Sequence, residues 1–479
     1  MRKKLDFMDE IITSKGMSRR DALKVMGISP IAAAAIATAS TGSITKAEAS
    51  DAKGKIVIVG GGTGGIMAAA RLSRALSNPD ITIIAPNEKH IYQPAQVFVA
   101  AGETTTQSII KDNKDFIPSD VKWIKDEVKT FDPDNNKVIT RAGEEISYDY
   151  LVVATGLQYH YDWIKGLSVE DIGKHGISSV YLNNAEEGTA KGGDITNAWF
   201  KDLHQASKDG KNPKVICTQP ATPIKCGGAP QKILYLSDDY LKRDGLTADF
   251  IFATSSSSLF GVPSVRETLE KVVQPYYGNI TNKFQHNLVA IDVENKVATF
   301  EYKYELKGEY DEDLGEYDII KKTDSVTMEY DFIHVVPPMS APDAVVNSSL
   351  GWQQGSAKGW LEVDQETLQH RRYKNVFGMG DVCGIPKGKT GGSARHHGPV
   401  MVGNLLAQMQ NKELKEKFDG YTVCPLKTRY GRIIMAEFNY KGEAPSFPLA
   451  INKERWMWWA FDLYAIEPMY WNLMMRGLM

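Results

Sequence analysis

Two short segments place sulfur where it can do chemistry. "PIKCGGAP" (223–230) sets Cys226 between a lysine and two glycines, and "GMGDVCGIP" (378–386) sets Cys383 just after a Gly-Asp pair. A thiolate can attack a disulfide and can also leave from one. Two cysteines that meet in a fold can therefore take up sulfur and release electrons. Each lies on a loop leaving a strand, so Cys226 and Cys383 are expected to converge at the carboxyl edges of two sheets; Gly227 and Gly228 permit close backbone approach, while Pro223 and Pro230 stiffen the loop. The other two of the four cysteines, Cys217 and Cys424, read as buried small hydrophobes. Four are too few for a disulfide scaffold in a chain of 479 residues.

A sulfur pair needs an electron acceptor beside it, and the sequence offers a dinucleotide site. "KIVIVGGGTGGIMAAARLSRAL" (55–76) is a β-branched run, a glycine turn and a helical pattern. Gly60, Gly62 and Gly65 have the G-x-G-x-x-G spacing that lets a backbone approach a pyrophosphate at a helix N-terminus. Thr63 and Gly64 complete that loop. The next strand, "ITIIAP", ends in Ala85 where a ribose-binding acid is usual, which leaves Asn87, Glu88 or backbone to hold the ribose. "YDYLVVATG" (148–156) ends in Thr155 and Gly156, and "NVFGMGDV" (375–382) ends in Gly380 and Asp381. Both resemble segments of two-dinucleotide-domain flavoproteins, in which the Gly-Asp pair reaches FAD.

The elements that must position these residues follow from the pattern. The fold class is α/β, with two Rossmann-like dinucleotide-binding domains, the second inserted into the first, and a membrane-associating helical segment at the C-terminus. The first domain takes 55–164 and 336–420, the insert 165–335, and the membrane-associating region 421–479. In the insert "PKVICTQP" reads as a strand and "QKILYLSDDYLKRDG" as a helix. The loop between them carries proline and cysteine in place of a phosphate loop, so no nicotinamide site is expected there. Charged and aromatic residues alternate over 301–331, the pattern of solvated β-hairpins. "PKGKTGGSARHHGPVMVGNLLAQM" begins a helix after Lys389 and Thr390. There an ammonium and backbone N–H groups can stabilise negative charge on a reduced flavin. His396 and His397 lack partners at metal-ligand spacing, and no metal site is expected.

Composition limits the partners. The 56 basic residues nearly cancel the 59 acidic ones, which argues against nucleic acid. "SRRDALK" followed by an Ala-rich apolar run to Ala49 (1–49) reads as a twin-arginine-type signal peptide, placing the protein on the periplasmic side of an inner membrane. The last 29 residues hold four of the nine tryptophans, with Lys453, Arg455 and Arg476 beside them. Pro468 is expected to split this stretch into two helices, each short of the ~20 residues a span needs. Such a segment would lie on a membrane surface.

The strings "GGGTGG", "EKHIYQPAQ", "PIKCGGAPQKILYLS", "VVPPMSAPD", "DQETLQHRRYKNVFGMGDV", "DGYTVCPL" and "EPMYWNLMMRG" together resemble the sulfide:quinone oxidoreductases of the mitochondrial-like branch. The resemblance covers nearly everything after the leader. It implies a monotopic flavoenzyme with non-covalent FAD, hydrogen sulfide as substrate and a membrane quinone as oxidant. It also implies FAD contacts at Thr63, Gly64, Gln93, Val128 and Asp381, and a redox pair at Cys226 and Cys383, with Val382 as an extra residue before the latter. Val335 to Ser340, Phe438, Tyr440 and Tyr464 are the expected quinone lining. Three rival readings are weaker. A flavocytochrome c-type sulfide dehydrogenase would carry a flavin-linking cysteine near "HIYQPAQ", and an NADH:quinone oxidoreductase would carry a second glycine motif. A flavin sulfur sensor would not turn over. The sulfur acceptor and the oligomeric state, a homo-oligomer included, stay open.

Overall fold

The structure is a computed structural model that describes residues 49–183, 188–311 and 316–479. The twin-arginine pair and the apolar run after it lie outside the described residues. Strand β1 (Lys55–Val59) is a run of β-branched residues buried on both faces, as a central parallel strand must be. It passes through the glycine turn into helix α1 (Thr63–Ala75). Strands β2 (Asp80–Ile84), β3 (Val121–Ile124) and β4 (Tyr150–Val153) join it in parallel, with Ile56 level with Ile81 on one side and Tyr150 on the other.

The chain then leaves this sheet to build a second one. Helix α2 (Lys191–Lys208), β5 (Lys214–Gln219), α3 (Ala229–Lys242), β6 (Asp249–Thr254), β7 (Ile280–Lys283) and β8 (Phe332–His334) alternate as the insert's strand and helix patterns require. Its five parallel strands run in the order 177–178, β8, β5, β6, β7. The charged-aromatic stretch forms a long antiparallel hairpin, Val297–Asp311 against Glu316–Glu329, largely exposed along its second strand. Strand β9 (Val376–Gly378) then returns to the first sheet, on the open side of β4.

Three later elements close the molecule around the junction of the two sheets. Helix α4 (Gly391–Met409) packs on α1, with Thr390 accepting from the Ser393 N–H at 3.2 Å as its N-cap. Strands β10 (Thr422–Arg429) and β11 (Arg432–Asn439) form an antiparallel pair, and β10 lies against α3.

The C-terminal segment departs from expectation in two ways. Residues 456–474 are one continuous helical run in which α and π turns alternate, starting with α5 (Trp456–Phe461), and Pro468 does not split it. Pro468 falls in the short α turn between two π turns, where the wider π spacing absorbs its missing N–H. Trp458, Trp459 and Trp471 are also buried in the protein, because the aromatic side chains find protein partners. Only Trp456, of the four tryptophans, faces outward. Phe98 meets Trp459 edge-on at 5.1 Å, and Phe116 stacks on Trp471 at 5.3 Å. Among the described residues no helix is long and apolar enough to cross a membrane.

Candidate functional site

The glycine turn is built as a cradle. Gly60 has φ +118, and a Cβ there would lie 2.3 Å from the Ala154 carbonyl, so only glycine fits beside β4. A Cβ on Gly65 would lie 1.8 Å from the Gly60 carbonyl, which is how α1 comes tight against β1. A Cβ on Gly64 would sit 3.4 Å from the Met379 carbonyl, placing the Gly380-Asp381 turn against this loop. The carboxyl ends of β1, β4 and β9 therefore meet at one edge, where such sheets bind ligands.

That edge fits a dinucleotide. Side chains added at Gly62, Gly156 or Gly380 would meet open space, and the buried Thr155 hydroxyl has no hydrogen-bond partner within the protein. Gln93 reaches the same region, where its carbonyl oxygen accepts from the Lys225 ammonium. The Lys389 ammonium donates to the Asp381 carbonyl at 2.5 Å and the Cys383 carbonyl at 2.9 Å, and lies 3.5 Å over the Trp360 ring. Burial brings Lys389 down to about 8 and raises the Asp381 carboxyl, which Lys225 and Lys389 oppose. His397, fully buried, accepts the Gly380 N–H on Nδ1 at 3.1 Å and so props the Gly-Asp turn from behind.

Three expected contacts look different in place. The Asn87 amide donates to the Gly61 carbonyl at 3.1 Å and the Lys89 carbonyl at 3.0 Å, so its amino group braces the turn and only its oxygen remains for a ribose. Val128 opens the strand Val128–Asp132 as a buried core residue, which leaves its backbone for any ligand contact. Thr390 spends its hydroxyl on capping α4.

The sulfur site needs a correction. The loop from β5 to α3 does bring Cys226 to the first domain, where its N–H donates to the Lys389 carbonyl at 2.9 Å. Its sulfur, however, pairs with Cys424 of β10 rather than with Cys383. A hydrogen bond from the Cys424 thiol is the largest influence on Cys226. With the nearby Lys232 ammonium it holds Cys226 well below the ordinary thiol range, against the opposing effect of burial. Cys424 is pushed the other way, well above it. Both are free thiols. Cys383 turns under its own loop into the first domain's core, within reach of Gly378 and Leu361, and burial raises it to about 12. Cys383 follows directly on the Gly380–Val382 turn, and its N–H donates back to the Gly380 carbonyl at 3.2 Å.

Three features make Cys226 reactive. It sits at φ +49, a strained backbone for a side chain with a Cβ. It lies two residues before the Gly228 N-cap of a helix of 14 residues, so the N-terminal partial charge of α3 favours its thiolate. And Lys232, on the first turn of that helix, returns its Nζ to the sulfur at 3.2 Å. Gly228 admits the partner: a Cβ there would lie 2.4 Å from the Cys424 sulfur. Cys226 also lines a cavity of about 470 Å³ with Trp360, Pro386, Lys387, Lys389 and Phe438.

Phe438 thus shares the cavity of Cys226 instead of a separate quinone channel. Val335 and Val336 are core residues, Tyr440 donates to the Gln365 carbonyl, and Tyr464 lies outside, so the expected quinone lining does not gather into one place. Sequence reasoning missed Cys424 and Lys232. Their signals were a lysine at the sixth position after Cys226, one turn into its helix, and a cysteine on a strand that a neighbouring glycine leaves room for.

Comparison with known proteins places the chain in a family. Residues 54–192 match the pyridine nucleotide-disulphide oxidoreductase family. The chain is 39% identical over 427 residues to the mitochondrial sulfide:quinone oxidoreductase of Dictyostelium discoideum, covering 88% of this chain and 86% of that one. It belongs to the sulfide:quinone oxidoreductase family. The mitochondrial sulfide:quinone oxidoreductase of Mus musculus is 35% identical over 88% of this chain and 86% of its own. The crystal structure of the sulfide:quinone oxidoreductase from Aquifex aeolicus shares the fold, with a TM-score of 0.67 at 21% identity. It covers 89% of this chain and 92% of that one.

Proposed function

We propose that this protein oxidises hydrogen sulfide at the Cys226/Cys424 pair and passes the electrons through FAD to a quinone. The observation that carries this reading is the thiol pair itself: two free cysteines in hydrogen-bond contact, one with its Sγ 3.2 Å from the Lys232 ammonium, next to a dinucleotide cradle.

In the oxidised pair, hydrosulfide attacks the Cys424 sulfur. The S–S bond breaks, the new bond makes a persulfide on Cys424, and Cys226 leaves as a thiolate. Lys232 and the N-terminus of α3 stabilise that leaving charge. Gly60, Gly62, Thr63, Gly64, Gly65, Thr155, Gly156, Gly380 and Asp381 would hold FAD non-covalently, with Gln93 and the Asn87 oxygen at its rim. FAD supplies the two-electron acceptor. Lys389 holds the Gly-Asp turn in place, and the proton affinity that burial lowers to about 8 lets it carry or release a proton at Nζ near neutral pH.

The outward residues of the C-terminal run and tail, Trp456, Tyr464 and Leu478, support seating on a membrane surface. The leader sequence supports export to the periplasmic face, whereas the relatives above are named mitochondrial.

Anaerobic sulfide titration of the flavin-loaded Cys424→Ser and Cys383→Ala variants tests the assignment. Cys383→Ala is expected to bleach with sulfide and recover with a quinone analogue, whereas Cys424→Ser does neither. Bleaching and recovery in Cys424→Ser with loss in Cys383→Ala would return the role to Cys383.

A further inference from the structure

The sulfur pair does not stand alone in the core. Lys427 follows Cys424 by three residues on β10, and its Nζ forms an ion pair at 2.6 Å with Asp462 of the C-terminal helical run. Lys427 is 2% exposed and Asp462 6%, so the pair is shielded from water. The ammonium also lies 4.2 Å over the Phe98 ring, which Trp459 of the same run closes edge-on. An ion pair buried this deeply adds little stability compared with apolar side chains of similar size, so holding the fold together does not account for it.

The charge count does. Lys232 and Lys427 bring two buried ammonium groups to this part of the core, and Asp462 acts on both. One carboxylate balances one of them. The second is balanced when Cys226 is a thiolate and left unbalanced when the pair is oxidised, which favours the state in which Cys226 carries negative charge. We propose that the C-terminal run is part of the sulfur centre: Asp462 holds the Lys427 ammonium as the second cation of the Cys226/Cys424 pair. Lys427 and Asp462 are then positioning residues with opposite electrostatic effects on that pair. This rests on the reading of Cys226 and Cys424 as the redox cysteines.

The groups that face Cys226 are Lys232 from α3, Cys424 and Lys427 from β10, Tyr181 from the loop before α2, and Asp381 from the Gly-Asp turn. Asp462 faces Lys427, Lys232 and Tyr92. Against that background the two members of the ion pair have predictable signs.

The test is the pH dependence of Cys226 alkylation by iodoacetamide in the reduced holoenzyme, read on its own peptide by mass spectrometry. Lys427→Gln removes a cation and is expected to raise the midpoint by about half a pH unit, with about threefold less modification on the acid side. Asp462→Asn removes an anion and lowers the midpoint. Lys427→Arg stays near the parent. The double variant Lys427→Gln/Asp462→Asn keeps a neutral hydrogen bond in place of the ion pair, guards against misfolding, and falls between the two singles. Both singles moving the same way, as general loosening would make them, or neither moving, overturns the proposal. Opposite shifts with sulfide bleaching retained in Cys424→Ser would leave the electrostatic assignment standing and sink the redox pair. Absent shifts with bleaching lost would do the reverse.

Discussion

At the scale of single residues the four cysteines are sorted by what surrounds them. Cys226 has a thiol donor, an ammonium and a helix N-terminus around its sulfur. Cys383 and Cys217 are buried in the core, and burial lifts both well above the ordinary thiol range. Iodoacetamide at pH 7 should therefore modify Cys226 and leave Cys383 and Cys217 untouched, which peptide mapping of the reduced enzyme will show. Removing the nearest cation reverses the advantage. An ammonium beside sulfur favours the thiolate, so Lys232→Met should raise the midpoint of Cys226 alkylation. Below that midpoint, each pH unit of the rise should slow the reaction by about tenfold. Lys232→Arg should restore most of the rate. The sign carries over to stability in the reduced enzyme: a thiol depressed on folding stabilises the fold above the ordinary thiol range. That contribution disappears as the pH falls through the depressed value.

At the scale of elements the two sheets and the helices that cover them were legible in the sequence, because buried parallel strands and Ala-rich or Leu-rich helices have strong periodicity. The glycine turn, the Thr155-Gly156 end of β4 and the Gly380-Asp381 end of β9 were legible for the same reason: each terminates a recognisable strand. The partner of Cys226 was not. Cys424 lies on an antiparallel pair of strands folded back over α3, and nothing local in "DGYTVCPLKTR" says which helix that pair will cover. Nor did the aromatic tail announce that three of its tryptophans would turn inward, since membrane headgroups and protein cores favour the same side chains. The contact that made the difference is the small one at Gly228. Gly228→Ala would drive a methyl group to 2.4 Å from the Cys424 sulfur and 2.5 Å from Leu426, so α3 and β10 must move apart. Overpacking of this kind costs about 1–3 kcal/mol. The expected result is a lower unfolding midpoint together with slower sulfide-driven bleaching. A normal bleaching rate would show that the pair tolerates the displacement.

At the scale of the whole molecule the C-terminal run touches both halves of the site. Asp462 reaches the cysteines through Lys427. Tyr470 reaches the cofactor cradle, with its hydroxyl 2.6 Å from the Thr63 hydroxyl and 2.5 Å from His90 Nε2. His90 in turn contacts Asn113, which grips the Gly61 carbonyl. The outer face of the same run carries Trp456 and Tyr464, and the tail after it carries Leu478, each more than 40% exposed. Replacing these three with Gln should weaken sedimentation with quinone-loaded phospholipid vesicles and slow turnover of the vesicle-borne quinone. Turnover with a water-soluble quinone analogue should stay near the parent level, and an equal loss with both acceptors would remove the membrane role.

The cavity beside Cys226 has a consequence for inhibition. At about 470 Å³ it is within the range that holds drug-sized molecules, and Trp360, Phe438 and Lys387 give it two aromatic walls and a cation. An anionic aromatic compound bearing a mild electrophile would dock there with its warhead facing Cys226, the one cysteine among the described residues that is not buried and whose thiol is held below the ordinary range. Selectivity would come from the protein's own electrostatics, so a weakly reactive group would suffice.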